Sequence, residues 1–152
     1  MSEKMCGALF NILGDIEGLT VLDAFSGSGA LSFEAVSRGA KEVTSIESDY
    51  GAYRTIACNI AKLGLETGIV LIHATNMHWS QTNEDTAYDI ILCDPPYDDR
   101  QSDSIRMLAG HVKSGGLLVL SWPSNEDPIV IPELRQIEQR TYGNAQLIFY
   151  RA

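Results

Sequence analysis

The first candidate site is a glycine-rich turn that follows a short apolar run. Val21 and Leu22 lead into Asp23, and two glycines, Gly27 and Gly29, follow that acid within six residues. Glycine accepts torsion angles and contact distances that a Cβ would hinder, so this spacing predicts a tight turn between a buried strand and a helix. Backbone N–H groups and the positive end of the helix dipole at such a turn favour a nucleotide-type ligand.

The residues around this turn favour S-adenosylmethionine (SAM) over a dinucleotide. The dinucleotide fingerprint needs a third glycine where this sequence has Ser32. A carboxylate at Asp23 suits a cationic group, such as the amino end of SAM. Glu47 lies 24 residues beyond Asp23 and ends a second predicted strand, where it would accept hydrogen bonds from a ribose diol.

A polar turn follows the third predicted strand, which covers residues 69–73. Thr75 and Asn76 lie in this turn, at the place where an adenine amino group needs a polar partner. Either side chain could supply that partner, and ordinary turn chemistry explains both residues equally well.

The second candidate site is the tetrapeptide that runs from Asp94 to Tyr97, directly after a fourth apolar strand. Its two prolines fix the backbone and lack N–H groups, so Asp94 and the Pro95 carbonyl can present two acceptors to one amino group. Tyr97 offers a flat face on which a base can stack. Two acceptors on an exocyclic amine favour a localised lone pair and stabilise the charge that develops on methylation.

Strands and helices alternate along the chain and must position these residues. Apolar runs predict five strands, at residues 20–24, 42–47, 69–73, 88–93 and 117–121. Ser2 caps a predicted N-terminal helix that ends at Gly14 and packs on the core. Gly143 and Asn144 form a predicted hairpin turn between two further strands. This pattern predicts an α/β fold with a mostly parallel sheet and helices on both faces.

Size and composition indicate one globular domain over residues 1–152. No apolar run has the length of a membrane span, and no secretory leader is recognisable. Cys6, Cys58 and Cys93 are widely spaced, which predicts reduced thiols in a cytoplasmic protein. The three histidines have no metal-ligand spacing with them, so we expect no metal.

With the two motifs taken together, the sequence resembles class I SAM-dependent methyltransferases with a D-P-P-Y motif. More narrowly, it resembles the RsmD family, which methylates N2 of a guanine in 16S ribosomal RNA (rRNA). Residues 8–13, 23–31, 37–40 and 94–97 and the hairpin at residues 142–143 carry this resemblance. It implies a Rossmann-like fold with seven strands in the order 3-2-1-4-5-7-6.

The resemblance also implies the partners and the roles of the site residues. SAM would be held by residues 23–29, by Glu47 and by the Thr75/Asn76 position. Asp94, Pro95 and Tyr97 would be catalytic, and rRNA or the small ribosomal subunit would be the substrate of a monomeric protein. The cofactor-binding residues that we infer are Asp23, Phe25, Gly27, Gly29, Glu47, Thr75 and Asn76.

Two departures concern RNA binding. Members of this family usually begin with a basic hairpin, whereas this sequence starts at the helix after it, and Cys6 replaces a usual arginine. The formal net charge is −9, so we expect weak binding to rRNA. Two alternatives stay open: an adenine-N6 methyltransferase on DNA or RNA, and a non-catalytic SAM-binding module of a larger assembly. A nicotinamide oxidoreductase would leave residues 94–97 unexplained.

Overall fold

Five α-helices and seven β-strands make up the computed structural model, which describes residues 1–152. The helices are α1 Glu3–Leu13, α2 Ala30–Ser37, α3 Tyr50–Leu63, α4 Asn76–Thr82 and α5 Ser102–Leu108, and the 3-10 helix Ala109–His111 follows α5. The strands are β1 Thr20–Asp23, β2 Glu42–Glu47, β3 Ile69–His73, β4 Tyr88–Cys93, β5 Val112–Pro123, β6 Arg135–Tyr142 and β7 Ala145–Arg151. No helix is long and apolar enough to cross a membrane.

All seven strands form one sheet in the order β3-β2-β1-β4-β5-β7-β6. The pairs among β1 to β5 are parallel, and β7 pairs antiparallel with both β5 and β6. The predicted fold class and strand order are therefore confirmed. The order reverses at β1, whose neighbours are β2 and β4, so the two motifs that follow β1 and β4 lie side by side.

Helices cover both faces of the sheet because the central strands are apolar on both sides. On one face, Phe10 of α1 and Ile56 of α3 pack in a cluster that includes Val21 of β1. On the other face, Trp79 of α4 and Ile105 of α5 belong to a second cluster of buried residues. Alternating side chains of each strand serve the two clusters, which fixes the register and thereby the strand ends that carry the motifs.

Two elements differ from the sequence prediction. β5 begins at Val112, five residues before the predicted start, because Gly115 and Gly116 lie inside the strand at an irregularity of its pairing with β4. Gly115 has a φ of +78°, and a Cβ on Gly116 would lie 2.7 Å from the Asp89 carbonyl oxygen. The glycines therefore permit a bulge and do not end the strand. The second difference is α4, which the sequence prediction treated as a short connection.

Candidate active site

A cavity of about 800 Å³ opens at the carboxyl ends of the parallel strands and is lined by 22 residues. Its walls fall into two groups. The glycine half lies at the ends of β1, β2 and β3 and includes Phe25, Gly27, Glu47, Thr75 and Asn76. The proline half lies at the ends of β4 and β5 and includes Asp94, Pro95, Pro96, Tyr97, Gln101 and Ser121. The structure thus brings the two sequence motifs together around one cavity.

Positive φ angles explain why the turn after β1 contains two glycines. Gly27 has a φ of +56° and Gly29 a φ of +85°, where other residues are strained. A Cβ on Gly29 would also lie 2.9 Å from the Phe33 ring, whereas a Cβ on Gly27 would meet nothing closer than the Phe25 carbonyl oxygen at 4.0 Å. Gly29 is therefore required by the packing of α2, and Gly27 leaves space at the cavity.

Glu47 connects this turn to the next helix. Its Oε1 accepts a hydrogen bond from the Gly27 N–H at 2.7 Å, and its Oε2 accepts one from the Asp49 N–H at 2.8 Å. A carboxylate has about four acceptor positions, so both oxygens keep capacity for a ligand in the cavity. Two backbone donors hold the carboxylate at the cavity wall, where the sequence predicted a ribose partner.

Asp23 lies beneath the turn and does not line the cavity. Its side chain is fully buried; Oδ2 accepts a hydrogen bond from the Ser32 hydroxyl at 2.6 Å, and Oδ1 has no partner. Burial raises the pKa of this carboxyl to about 6. The sequence analysis predicted that this carboxylate faces a cationic group of the ligand. In the structure, its hydrogen bond from the Ser32 hydroxyl of α2 holds it below the cavity surface. Its direct contact with a ligand remains a prediction.

The two polar residues after β3 are both at the cavity but are held differently. Thr75 caps α4, because its hydroxyl accepts a hydrogen bond from the His78 N–H at 3.2 Å. Asn76 is buried and donates from Nδ2 to the Ala24 carbonyl oxygen at 2.7 Å. Its Oδ1 is buried without a partner. Because buried polar atoms are normally hydrogen-bonded, this orphaned acceptor makes Asn76 the better of the two candidates for an amino group.

Asp94 lines the cavity, and its side chain is 18% exposed, so a ligand in the cavity can reach its carboxylate. Pro95 is buried, whereas Pro96 is exposed, so the first proline anchors the turn against the protein.

Tyr97 borders the cavity and is 37% exposed as a residue. Its hydroxyl is 3.1 Å from Ser121 Oγ, and burial raises the pKa of the phenol, which stays neutral near pH 7. Ser121, Tyr142 and Asn144 line the cavity and were not found by sequence reasoning. The available signal for Ser121 was its position at the end of a strand beside the one that carries Asp94. Nothing local in the sequence indicated the hairpin residues.

The electrostatic character of the cavity is acidic. Three carboxylates line it, from Glu47, Asp94 and Asp99, and no side chain of lysine, arginine or histidine does so. Such a lining suits ligand groups that donate hydrogen bonds or carry positive charge, and it offers no basic side chain to a phosphate.

Comparison with known proteins identifies relatives over the whole chain. The family described as "Conserved hypothetical protein 95" matches residues 1–151. Ribosomal RNA small subunit methyltransferase D of Haemophilus influenzae is 29% identical over 156 residues, which cover 98% of this chain and 79% of that protein. The protein of the same name from Buchnera aphidicola (Acyrthosiphon pisum) is 37% identical over 82 residues, but the match covers only 54% of this chain and 42% of the relative.

Solved structures share the fold. A hypothetical protein of Thermus thermophilus superposes with a TM-score of 0.87 at 26% identity, and the match covers 100% of this chain and 87% of that protein. The structure of SMU.776, which was determined as a complex with SAH, superposes with a TM-score of 0.71 at 18% identity. That match covers 98% of this chain and 48% of the other, so it is a likeness of fold alone.

Proposed function

The chain belongs to the conserved hypothetical protein 95 family, the RsmD family, and on this premise we propose that it is a SAM-dependent rRNA methyltransferase whose acceptor is N2 of a guanine in 16S rRNA. The observation that carries the proposal is that Asp94 lies in the same cavity as Gly27 and Glu47. A carboxylate that can accept hydrogen bonds from an amino group therefore borders the space in which a nucleotide-type cofactor fits.

The residues of the glycine half fit SAM. The space beside Gly27 suits a backbone contact with the cofactor, and the acceptor capacity of Glu47 suits its ribose diol. The orphaned Oδ1 of Asn76 suits its adenine amino group. When bound, SAM supplies a methyl group on a positively charged sulfur. The acidic lining of the cavity favours that cationic ligand.

In the proline half, the chain's own groups would prepare the acceptor amine. An exocyclic amine is a poor nucleophile because its lone pair is delocalised into the ring. Asp94 Oδ2 and the Pro95 carbonyl oxygen would accept its two N–H bonds, localise the lone pair and stabilise the positive charge that forms as the methyl group arrives. The methylated nitrogen is then acidic, and its proton leaves without a strong base. Tyr97 would hold the base by stacking on its exposed ring face.

Transfer of a labelled methyl group tests the proposal directly. The chain is incubated with methyl-labelled SAM and either naked rRNA or small subunits from a strain that lacks the modification, and the RNA is digested to nucleosides. Label in N2-methylguanosine is the expected result. The Asp94→Ala variant, purified in parallel, controls for a host enzyme that copurifies.

Other outcomes separate the alternatives. Label in N6-methyladenosine would reject the guanine assignment and support an adenine-N6 methyltransferase, since the same acceptors serve either amine. Binding of SAM without transfer to either substrate would reject the enzyme and support a SAM-binding module. A comparison of the two substrates tells whether the assembled subunit is required.

A further inference from the structure

The Tyr97 side chain is attached to the sheet at its hydroxyl end. The phenol oxygen lies 3.1 Å from Ser121 Oγ, across 24 residues of sequence. Tyr97 as a residue is 37% exposed and borders the cavity, so its hydroxyl is held while the residue remains accessible to a ligand. A ring held in this way has a defined plane, and a base that stacks on it lies parallel to that plane.

Ser121 is a rigid attachment point. It is 2% exposed and belongs to β5, which pairs with β4 on one side and β7 on the other, with Leu147 opposite Ser121. Tyr97, by contrast, follows two prolines and lies within a turn that is closed by the bond between the Asp99 N–H and the Pro96 carbonyl oxygen at 3.1 Å. The bond to Ser121 therefore connects a loop side chain to a strand that has a partner on each side.

We propose that Ser121 is a positioning residue for methyl transfer: its hydroxyl fixes the plane of the Tyr97 ring and thereby the angle at which the stacked base presents its amine to Asp94. This inference rests on the proposed function. The transfer requires the nitrogen, the methyl carbon and the sulfur to lie in line, and small losses of orientation reduce the rate strongly. Ser121 touches neither the amine nor the methyl group and acts through Tyr97.

The same bond gives the tyrosine hydroxyl a role that a phenylalanine could not fill. Burial raises the pKa of Tyr97, so the phenol keeps its proton at neutral pH. A neutral phenol and a serine hydroxyl can each donate to the other, and the bond forms in either direction. Phenylalanine at position 97 would keep the stacking face but would leave Ser121 without its partner.

A double-mutant cycle tests the assignment. Ser121→Ala and Tyr97→Phe remove the same bond from opposite ends, and each should lower kcat about 5-fold, the effect of one ordinary hydrogen bond. The double variant should also lose about 5-fold and not about 25-fold, because there is only one bond to lose. KM for rRNA and the affinity for SAH should stay within about 2-fold of wild type, since stacking and cofactor contacts persist.

Ser80→Ala is the matched control. Ser80 is also a buried serine whose hydroxyl bonds an aromatic side chain, His111 Nε2 at 2.8 Å, but it does not line the cavity. Its variant should lose thermal stability and keep kcat. A Ser121→Ala protein with wild-type kcat, or losses that multiply in the double variant, would overturn the role of Ser121 alone. A wild-type protein without transfer would overturn the proposed function and this role with it.

Discussion

The two halves of the cavity are built from different kinds of hydrogen bond. In the glycine half, the polar side chains bond to backbone: Glu47 to two N–H groups, Thr75 to the His78 N–H and Asn76 to the Ala24 carbonyl. In the proline half, Tyr97 bonds to another side chain, that of Ser121. Because backbone partners are fixed by the fold itself, the glycine half suits a constant ligand, whereas the proline half can change its chemistry without changing the fold.

This difference makes a general prediction about variants. Substitutions in the glycine half should reduce stability and cofactor binding together, because the same bonds serve both. Substitutions in the proline half should reduce transfer more than stability. The Asp94 and glycine variants below test this distinction, whereas the Asp23 and salt experiments test the charges beneath and around the two halves.

Asp94→Ala should give the largest effect. Loss of the acceptor that stabilises charge on the amine should lower kcat by about 100- to 1000-fold with saturating rRNA. The melting temperature and the affinity for SAH should stay close to wild type. Asp94→Asn should keep part of the activity, because an amide oxygen still accepts one hydrogen bond. Wild-type turnover by Asp94→Ala would remove Asp94 from the mechanism.

Asp23→Asn tests the buried carboxyl under the glycine half. The pKa is raised from its usual 3.8 to about 6, so protonation favours the folded state. This stabilisation is complete below pH 3.8 and is lost as the pH rises through 6, at about 1.36 kcal/mol per pKa unit. Because asparagine does not titrate, the variant should gain about 2 kcal/mol over wild type between pH 4 and pH 7.

Urea unfolding at several pH values measures this difference. Asp85→Asn, a change at an exposed loop residue, is the control and should show no such trend. A constant difference between Asp23→Asn and wild type across this range would mean that Asp23 titrates normally in the folded protein.

Gly29→Ala and Gly27→Ala compare the two positions of the glycine turn. Alanine at φ +85° is strained and must displace the Phe33 ring, so Gly29→Ala should lose about 2 kcal/mol of unfolding free energy and weaken SAM binding. Gly27→Ala meets no close neighbour and should lose about 1 kcal/mol from the backbone alone. Equal losses in chemical denaturation would show that packing against Phe33 does not distinguish the two glycines.

Sequence reasoning succeeded where a local signal was strong. β4 was predicted with the bounds that the structure gives, because its apolar run ends at the sharp boundary of Asp94 and Pro95. The predicted start of β5 at residue 117 was wrong, because the strand begins at Val112 and Gly115 and Gly116 lie within it at a bulge. The sequence of a glycine pair is the same whether the pair precedes a strand or forms a bulge within it. The bulge is recognised only from the Asp89 backbone, which lies too close to Gly116 for a Cβ.

The candidate site shows the same limit. The glycine turn, Glu47 and the proline pair identified much of the cavity lining, since each follows or ends an apolar strand, but Asp23 and Gly29 do not line the cavity. The burial of Asp23 was not predictable, because it depends on Ser32 in the next helix. The bond between Tyr97 and Ser121 forms because β4 and β5 are neighbours in the sheet. The local sequence of either strand alone does not predict that pairing.

The last prediction concerns the salt dependence of rRNA binding. Of the 11 lysine and arginine residues, five form ion pairs with acids, and none lines either half of the cavity. We therefore expect rRNA binding to neutralise only about two phosphates, which gives a salt slope near −2. Raising the salt concentration from about 50 to about 200 mM should then weaken binding about 10- to 20-fold, against the 1000-fold or more of a strongly basic interface.

A matched pair of variants locates any cation that contributes to this slope. Lys4 precedes Met5, a residue of α1 that lines the cavity. Lys62 lies in the last turn of α3, a helix that begins beside Glu47 and runs away from the cavity. Both lysines are exposed, and neither is in an ion pair. In filter-binding titrations, Lys4→Gln should make the slope shallower by about one unit, because one phosphate contact is lost, and Lys62→Gln should not change it. A wild-type slope steeper than about −5 would mean that the fold gathers cations around the cavity mouth, and the proline half would then be part of a basic interface.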